Sequence, residues 1–244
     1  MRSNGKLRYG KPGGAGRGMK TGSTTSATVT IFAKDFRSEL RTRYALNALL
    51  MFVITTLSII LFSLGNETVS PEVLSGVLWI IIFFSTMSGL SRTFVSEEER
   101  GTVMTLQLVA RPLTIYFGKL LFNLVLLAFL NVFTVVLYLL VIGNFSVRNY
   151  GVFVVTLLLG TLGLASASTI IAAIISKANT KGTLYPVLAF PILLPLLLTV
   201  INATKMSIEG ASFSEAVGEF QVLVSYLIVV TTVSYLLFDY IWKD

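Results

Sequence analysis

The sequence predicts an all-α integral membrane protein of six transmembrane helices, led by an amphipathic elbow helix at the membrane surface. Three observations carry this. Residues are 54% hydrophobic and 13% charged, with a mean hydropathy of +0.81, whereas a soluble domain carries about a quarter charged residues. Six apolar runs, near 45–64, 73–95, 118–142, 150–175, 184–202 and 220–241, are each long enough to cross hydrocarbon, because ~20 residues at ~1.5 Å rise match a ~30 Å slab. With the N-terminus placed in the cytoplasm, all of the 19 Lys and Arg except Arg148 and Lys205 fall inside, the asymmetry that sets topology. Both ends are then cytoplasmic. Helices are required because lipid offers backbone groups no partner, and the runs lack the alternation of barrel strands.

Residues 1–28 form the first segment, rich in Gly, Ser, Thr, Lys and Arg and nearly free of large apolar side chains. Such a segment buries too little surface to offset its ordering entropy and is expected to be a disordered basic tail. Gly14 to Thr21 resembles a phosphate-binding loop, but Met19 stands where the second glycine is required and no strand precedes it. No apolar signal-peptide core occurs before Ile31, and Met19 is a candidate start.

Residues 29–44 are the amphipathic interfacial helix. Phe32, Phe36, Leu40 and Tyr44 recur every four positions, while Lys34, Asp35, Arg37, Glu39, Arg41 and Arg43 fill much of the rest. The aromatic stripe suits the acyl boundary and the charges suit the headgroups. Glu39 and Arg43 have the favourable i, i+4 order.

The remainder, 45–244, is the six-helix membrane domain. Its second inner segment runs Ser96-Glu97-Glu98-Glu99-Arg100-Gly101-Thr102, continues through Leu106 and ends at Arg111-Pro112. Acids at the start and a base at the end suit a short helix dipole, and Pro112 disfavours helical geometry at Arg111. Two readings stand for this segment: a docking element for a soluble partner, or a solvated connector whose charges hold topology. In the fourth run Ala165, Thr169, Ala173 and Ser168, Ala172, Ser176 make two small-residue faces behind Gly160 and Gly163, which predicts close packing within the chain in preference to a dimer seam. Pro186, Pro191 and Pro195 predict a kinked or broken fifth span, a feature often found along substrate paths. Asn123, Asn131 and Tyr138 in the third span are expected to bond across helices. The stretch Ser207 to Val217 is expected to be a short interfacial helix or a loop packed on the span ends.

Composition also excludes. The formal charge of +7 sits in the N-terminal arm and alternate loops, not on one face, so nucleic acid is not a partner. With no Cys and no His, the commonest metal ligands and general base are missing. No acid or base lies in mid-span, which weakens proton- or sodium-coupled transport, and no catalytic centre is expected.

The elbow helix, six spans and the E-E-x-G-T-like loop resemble the permease subunit of a type-2 ABC exporter. More narrowly, Phe36-Arg37-Ser38-Glu39-Leu40, then Glu97 to Thr102, Leu106, Arg111-Pro112 and Lys119, followed by a proline-interrupted fifth span, resemble the haem-exporter protein B family, CcmB, of cytochrome c maturation. That resemblance implies a bacterial inner-membrane subunit, present in two copies, served by a separate cytoplasmic ATPase and working beside a CcmC-like haem-handling membrane protein. It makes Glu97, Glu98, Glu99, Arg100, Gly101, Thr102 and Leu106 the loop that couples to the ATPase. Haem is implied as cargo of the complex and not as a bound cofactor; Met and Tyr are the ligand types left in this chain, and packing is their favoured role. A type-2 permease for a lipid, glycan or drug, and a non-transporting membrane scaffold, are the alternatives.

Overall fold

The computed structural model describes residues 24–65, 69–90, 94, 97, 101, 102, 104, 106, 108, 110–143, 145–177 and 184–243. The tail through residue 23, including Gly14 to Thr21, lies outside the described residues, as do Glu98, Glu99 and Arg100. Among the described residues the long elements are all helices: α1 (Thr24–Thr42), α2 (Tyr44–Leu64), α3 (Pro71–Leu90), α4 (Pro112–Val141), α5 (Tyr150–Ser176), α6 (Leu184–Glu209) and α7 (Val217–Lys243). Six helices among the described residues, α2 to α7, are long and apolar enough to cross a membrane. The chain is a multi-pass membrane protein.

Local chemistry sets several boundaries. Helix α1 starts at Thr24, inside the stretch assigned to the tail. It ends where Arg43 takes the left-handed φ of 52°, and α2 begins at the next residue. Glu39 does not pair with Arg43; its Oε1 accepts from the Leu46 backbone N–H at 3.1 Å, supplying an acid to an N-terminus with unmet donors. Arg111 is extended, at φ −67° and ψ 146°, and Pro112 opens α4, as the steric demand of proline on its predecessor requires.

Helix α5 is the hub, packed by α3, α4, α6 and α7. Its glycines explain the closeness. A Cβ on Gly160 would run into the Trp79 ring of α3, and one on Gly163 would lie 2.8 Å from Leu196 of α6. Both small-residue faces of α5 are buried among neighbouring helices of the same chain, so they serve internal packing, where close backbone approach gains dispersion contacts. Side-chain bonds then fix the register. Asn123 donates to Thr169 Oγ1 at 2.9 Å and Asn131 to Thr161 Oγ1 at 2.8 Å, two rungs of an antiparallel α4–α5 ladder. Trp79 Nε1 donates to Thr204 Oγ1 at 2.8 Å between α3 and α6, and Tyr138 donates to the Leu74 carbonyl at 2.8 Å between α4 and α3.

Two pairs of alternatives narrow. Helix α6 is not broken: it runs continuously through Pro191 and Pro195, and Pro186 lies in its first turn. Pro191 and Pro195 sit on its exposed side, opposite Leu193, Leu196 and Val200, which pack inward. The stretch from Ser207 is not a separate interfacial helix. It finishes α6, turns at Gly210 with φ 89°, and is held by Arg148 and Asn149 N–H groups bonding to the Ser207 carbonyl at 3.1 and 3.0 Å.

Candidate functional site

The site forms where the α3–α4 loop meets α1 and the first turns of α4. The chain reverses after α3: Glu97 N–H bonds to the Phe94 carbonyl at 3.1 Å, and Thr102 N–H bonds to the Glu97 carbonyl at 3.0 Å. Gly101 has φ 65°, a left-handed turn that a side-chain-bearing residue adopts only at a cost, which accounts for Gly before Thr102. The Thr102 hydroxyl also donates to the Glu97 carboxylate, closing the turn on itself.

Beyond this turn Leu106 N–H bonds to the Thr102 carbonyl and Ala110 N–H to the Leu106 carbonyl, each at 3.0 Å and four residues apart. Those are helical bonds. Met104 and Leu108, also four apart, are 73% and 82% exposed, while Leu106 turns toward the core. One apolar edge therefore projects from a charged loop.

Glu97 itself is buried, and four charges converge there. Lys119 Nζ lies 2.9 Å from Glu97 Oε1 and 2.9 Å from Asp35 Oδ2. Lys34 Nζ lies 2.6 Å from the same Glu97 oxygen and 3.3 Å from Asp35 Oδ1. The Lys119 side chain is only 2% exposed, against 46% for Lys34. Two cations and two anions leave the cluster neutral, which is the condition for holding charge away from water. Burial alone would push the Glu97 carboxyl up, but the Lys119 charge and hydrogen bonds from Lys34, Thr102 and Lys119 prevail and hold it near 2. Burial works against the Lys34 ammonium too, yet the bond to Glu97 and the charge of Asp35 raise it above its ordinary value.

Packing holds the cluster's frame. Ile31 and Asp35, one turn apart, form the buried side of α1. A Cβ on Gly118 would come within 2.8 Å of Ile31 and 3.2 Å of the Thr28 carbonyl, so α1 rests directly on α4. Phe32 and Phe36 stack at 5.6 Å, and Phe36, Arg37 and Leu40 remain on the exposed side. Lys119 also stands 5.8 Å above the Phe94 ring, a cation–π geometry. Phe94 in turn contacts Phe238 and Trp242 of α7, both at 5.8 Å between centroids.

Of the residues proposed from sequence, Glu97, Gly101, Thr102 and Leu106 come together in this turn and the helical segment after it. Phe36, Arg37 and Glu39 lie on α1 outside the cluster, Phe36 stacked on Phe32 and Glu39 bonded to the Leu46 N–H, and the three prolines lie on α6. Lys34, Asp35 and Lys119 are the members that sequence reading did not single out as a site. A signal existed for Lys119, a lone cation within the third apolar run.

A family model described as CcmB protein matches residues 26–239. No curated protein matches the chain.

Proposed function

Since the chain belongs to the CcmB family, we propose that it is the permease subunit of an ABC transporter, acting in haem export or haem-carrier release during cytochrome c maturation. It lies in the bacterial inner membrane with both ends in the cytoplasm, has no ATPase of its own, and works as two copies beside a separate ATPase and a CcmC-like haem-handling protein. Haem is cargo of the complex. The supporting observation is the α3–α4 loop: an exposed apolar edge, Met104 and Leu108, on a segment whose first turn is pinned through Glu97 to both α1 and α4. A push on that edge is delivered to the elbow helix and the third span at once.

The chemistry is mechanical. ATP binding and hydrolysis on the partner move the loop; the four-charge cluster carries that movement into α1 and α4; and rearrangement of the spans drives the cargo step. Replacing Met104 and Leu108 together by Asp tests this. Both side chains are exposed, so the thermal unfolding temperature should hold, while permease-stimulated ATPase activity falls ~10-fold or more, the loss typical of a central contact pair. Full stimulation in that folded variant rejects the loop as the coupling element. Mass spectrometry of what co-purifies in mild detergent tests the wider reading. An ATPase together with a haem-handling membrane protein supports it, and the absence of any ATPase, in a preparation that preserves other membrane complexes, rejects it.

A further inference from the structure

Helix α1 separates its charges. Its two acids turn inward: Asp35 is buried in the four-charge cluster, and Glu39 accepts the Leu46 N–H of α2. Arg37 and Arg41 each follow one of these acids by two residues, which at ~100° per residue puts them on the opposite side of the helix. Both are exposed. Arg43 is exposed too, and its left-handed backbone lets its Nε donate to the Leu40 carbonyl at 3.2 Å, holding the guanidinium at the C-terminal end of α1. Among the described residues none of the three arginines is paired with an acid. Beside this basic edge Val29, Phe36 and Leu40, spaced seven and four apart, form an exposed apolar edge. The first apolar span begins at Leu46, three residues after Arg43. That is ~5 Å of helix, within the headgroup layer that borders the ~30 Å hydrocarbon slab.

We propose that Arg37, Arg41 and Arg43 bind the headgroup of a net-anionic phospholipid, whose acyl chains lie along Val29, Phe36 and Leu40. Guanidinium groups match phosphate oxygens in pairs. Three of them with no acid alongside favour a headgroup of net negative charge, because a zwitterionic headgroup brings its own ammonium to the same place. The apolar edge identifies the occupant as lipid. A soluble phosphate compound would satisfy the arginines and leave Phe36 and Leu40 in water, whereas a phospholipid covers both edges at once. Withdrawal of Asp35 and Glu39 into the protein is what makes the outer side more basic than the mixed charges of the sequence show. The inference requires that α2 spans the bilayer and is independent of coupling through the α3–α4 loop.

The test uses the whole chain, stripped of lipid in neutral detergent and titrated with phosphatidylglycerol or phosphatidylcholine under native mass spectrometry. Phosphatidylglycerol should bind its first site ~10-fold or more tightly than phosphatidylcholine, and equal affinities overturn the proposal. The variant Arg37→Gln, Arg41→Gln, Arg43→Gly, in which glycine keeps the left-handed turn, should hold its unfolding temperature in detergent. Its affinity for phosphatidylglycerol should fall about fivefold per arginine, on the order of 100-fold in all; an unchanged affinity in the folded variant overturns the proposal. If the triple variant does not fold, the three single replacements carry the same test at about fivefold each. Arg37→Lys with Arg41→Lys keeps the charge and should keep the preference for phosphatidylglycerol. Excess inorganic phosphate should displace the lipid no more than chloride of equal ionic strength does, and selective displacement by phosphate overturns the proposal in favour of a soluble phosphate compound.

Discussion

Lys119 and Glu97, 22 residues apart in the chain, meet at 2.9 Å with Lys119 almost wholly withdrawn from solvent. Removing one member of such a pair strands the other, which costs more than the pair contributes. Lys119→Met should therefore destabilise the folded protein by ~3–5 kcal/mol, the range for breaking a buried pair, read as a fall in unfolding temperature in detergent. Combining it with Glu97→Gln should recover part of that loss, and strictly additive losses would show that the two residues do not interact.

Titration gives a second test. Glu97 is held near 2, below its ordinary 4.5. A carboxyl lowered by folding contributes stability that is complete above its unfolded value and disappears as pH falls through its folded value. Stability should decline from about pH 4.5 toward about pH 2, and Glu97→Gln should flatten that part of the curve. Equal pH profiles for the two proteins would contradict the assignment.

The contact between α1 and α4 depends on the missing side chain at Gly118. Gly118→Val would press against Ile31 and the α1 backbone, with an expected cost of ~1–3 kcal/mol from overpacking. If α1 moves away, Lys34 and Asp35 move with it, so proteolysis within α1 should accelerate. Unaltered cleavage and stability would argue against the docked elbow.

The Asn–Thr ladder makes a prediction in the membrane interior. Asn131→Leu removes the donor to Thr161, and bonds between helices in lipid contribute ~0.6–2 kcal/mol. Asn131→Leu and Thr161→Val should each destabilise, and the double variant should fall short of their sum; an additive pair would mean that the bond is energetically silent.

The spans are legible in the sequence because a long apolar run has one economical fate in a bilayer, and the start of α4 is legible because Pro112 constrains Arg111 sterically. The small faces of α5 are legible for the same kind of reason, although Trp79 and Leu196, which press on Gly160 and Gly163 ahead of them, come from distant segments. The cluster at Lys119 is not. Helical spacing places Asp35 beside Ile31 as readily as among the solvated charges of α1, and only the approach permitted by Gly118 decides between them. Lys119 reads equally well as a topology charge until Glu97 and Asp35 are known to converge on it. For α6, proline chemistry forecasts a kinked or broken helix; both mid-helix rings face outward, away from Leu193, Leu196 and Val200, and the helix is not broken.

The docked elbow has a consequence for biogenesis. Lys34 precedes its partner Glu97 by 63 residues, and Lys119 follows later still. During synthesis, which proceeds from the N-terminus, α1 emerges before either residue that neutralises and covers its inner side exists. Until α4 has been made, the inner side of α1 lacks the residues that neutralise it, and its charges depend on solvent. Its docking then reports that the first half of the protein has been threaded correctly, and a chain stalled before α4 would present an undocked basic helix to whatever quality-control machinery patrols the membrane surface.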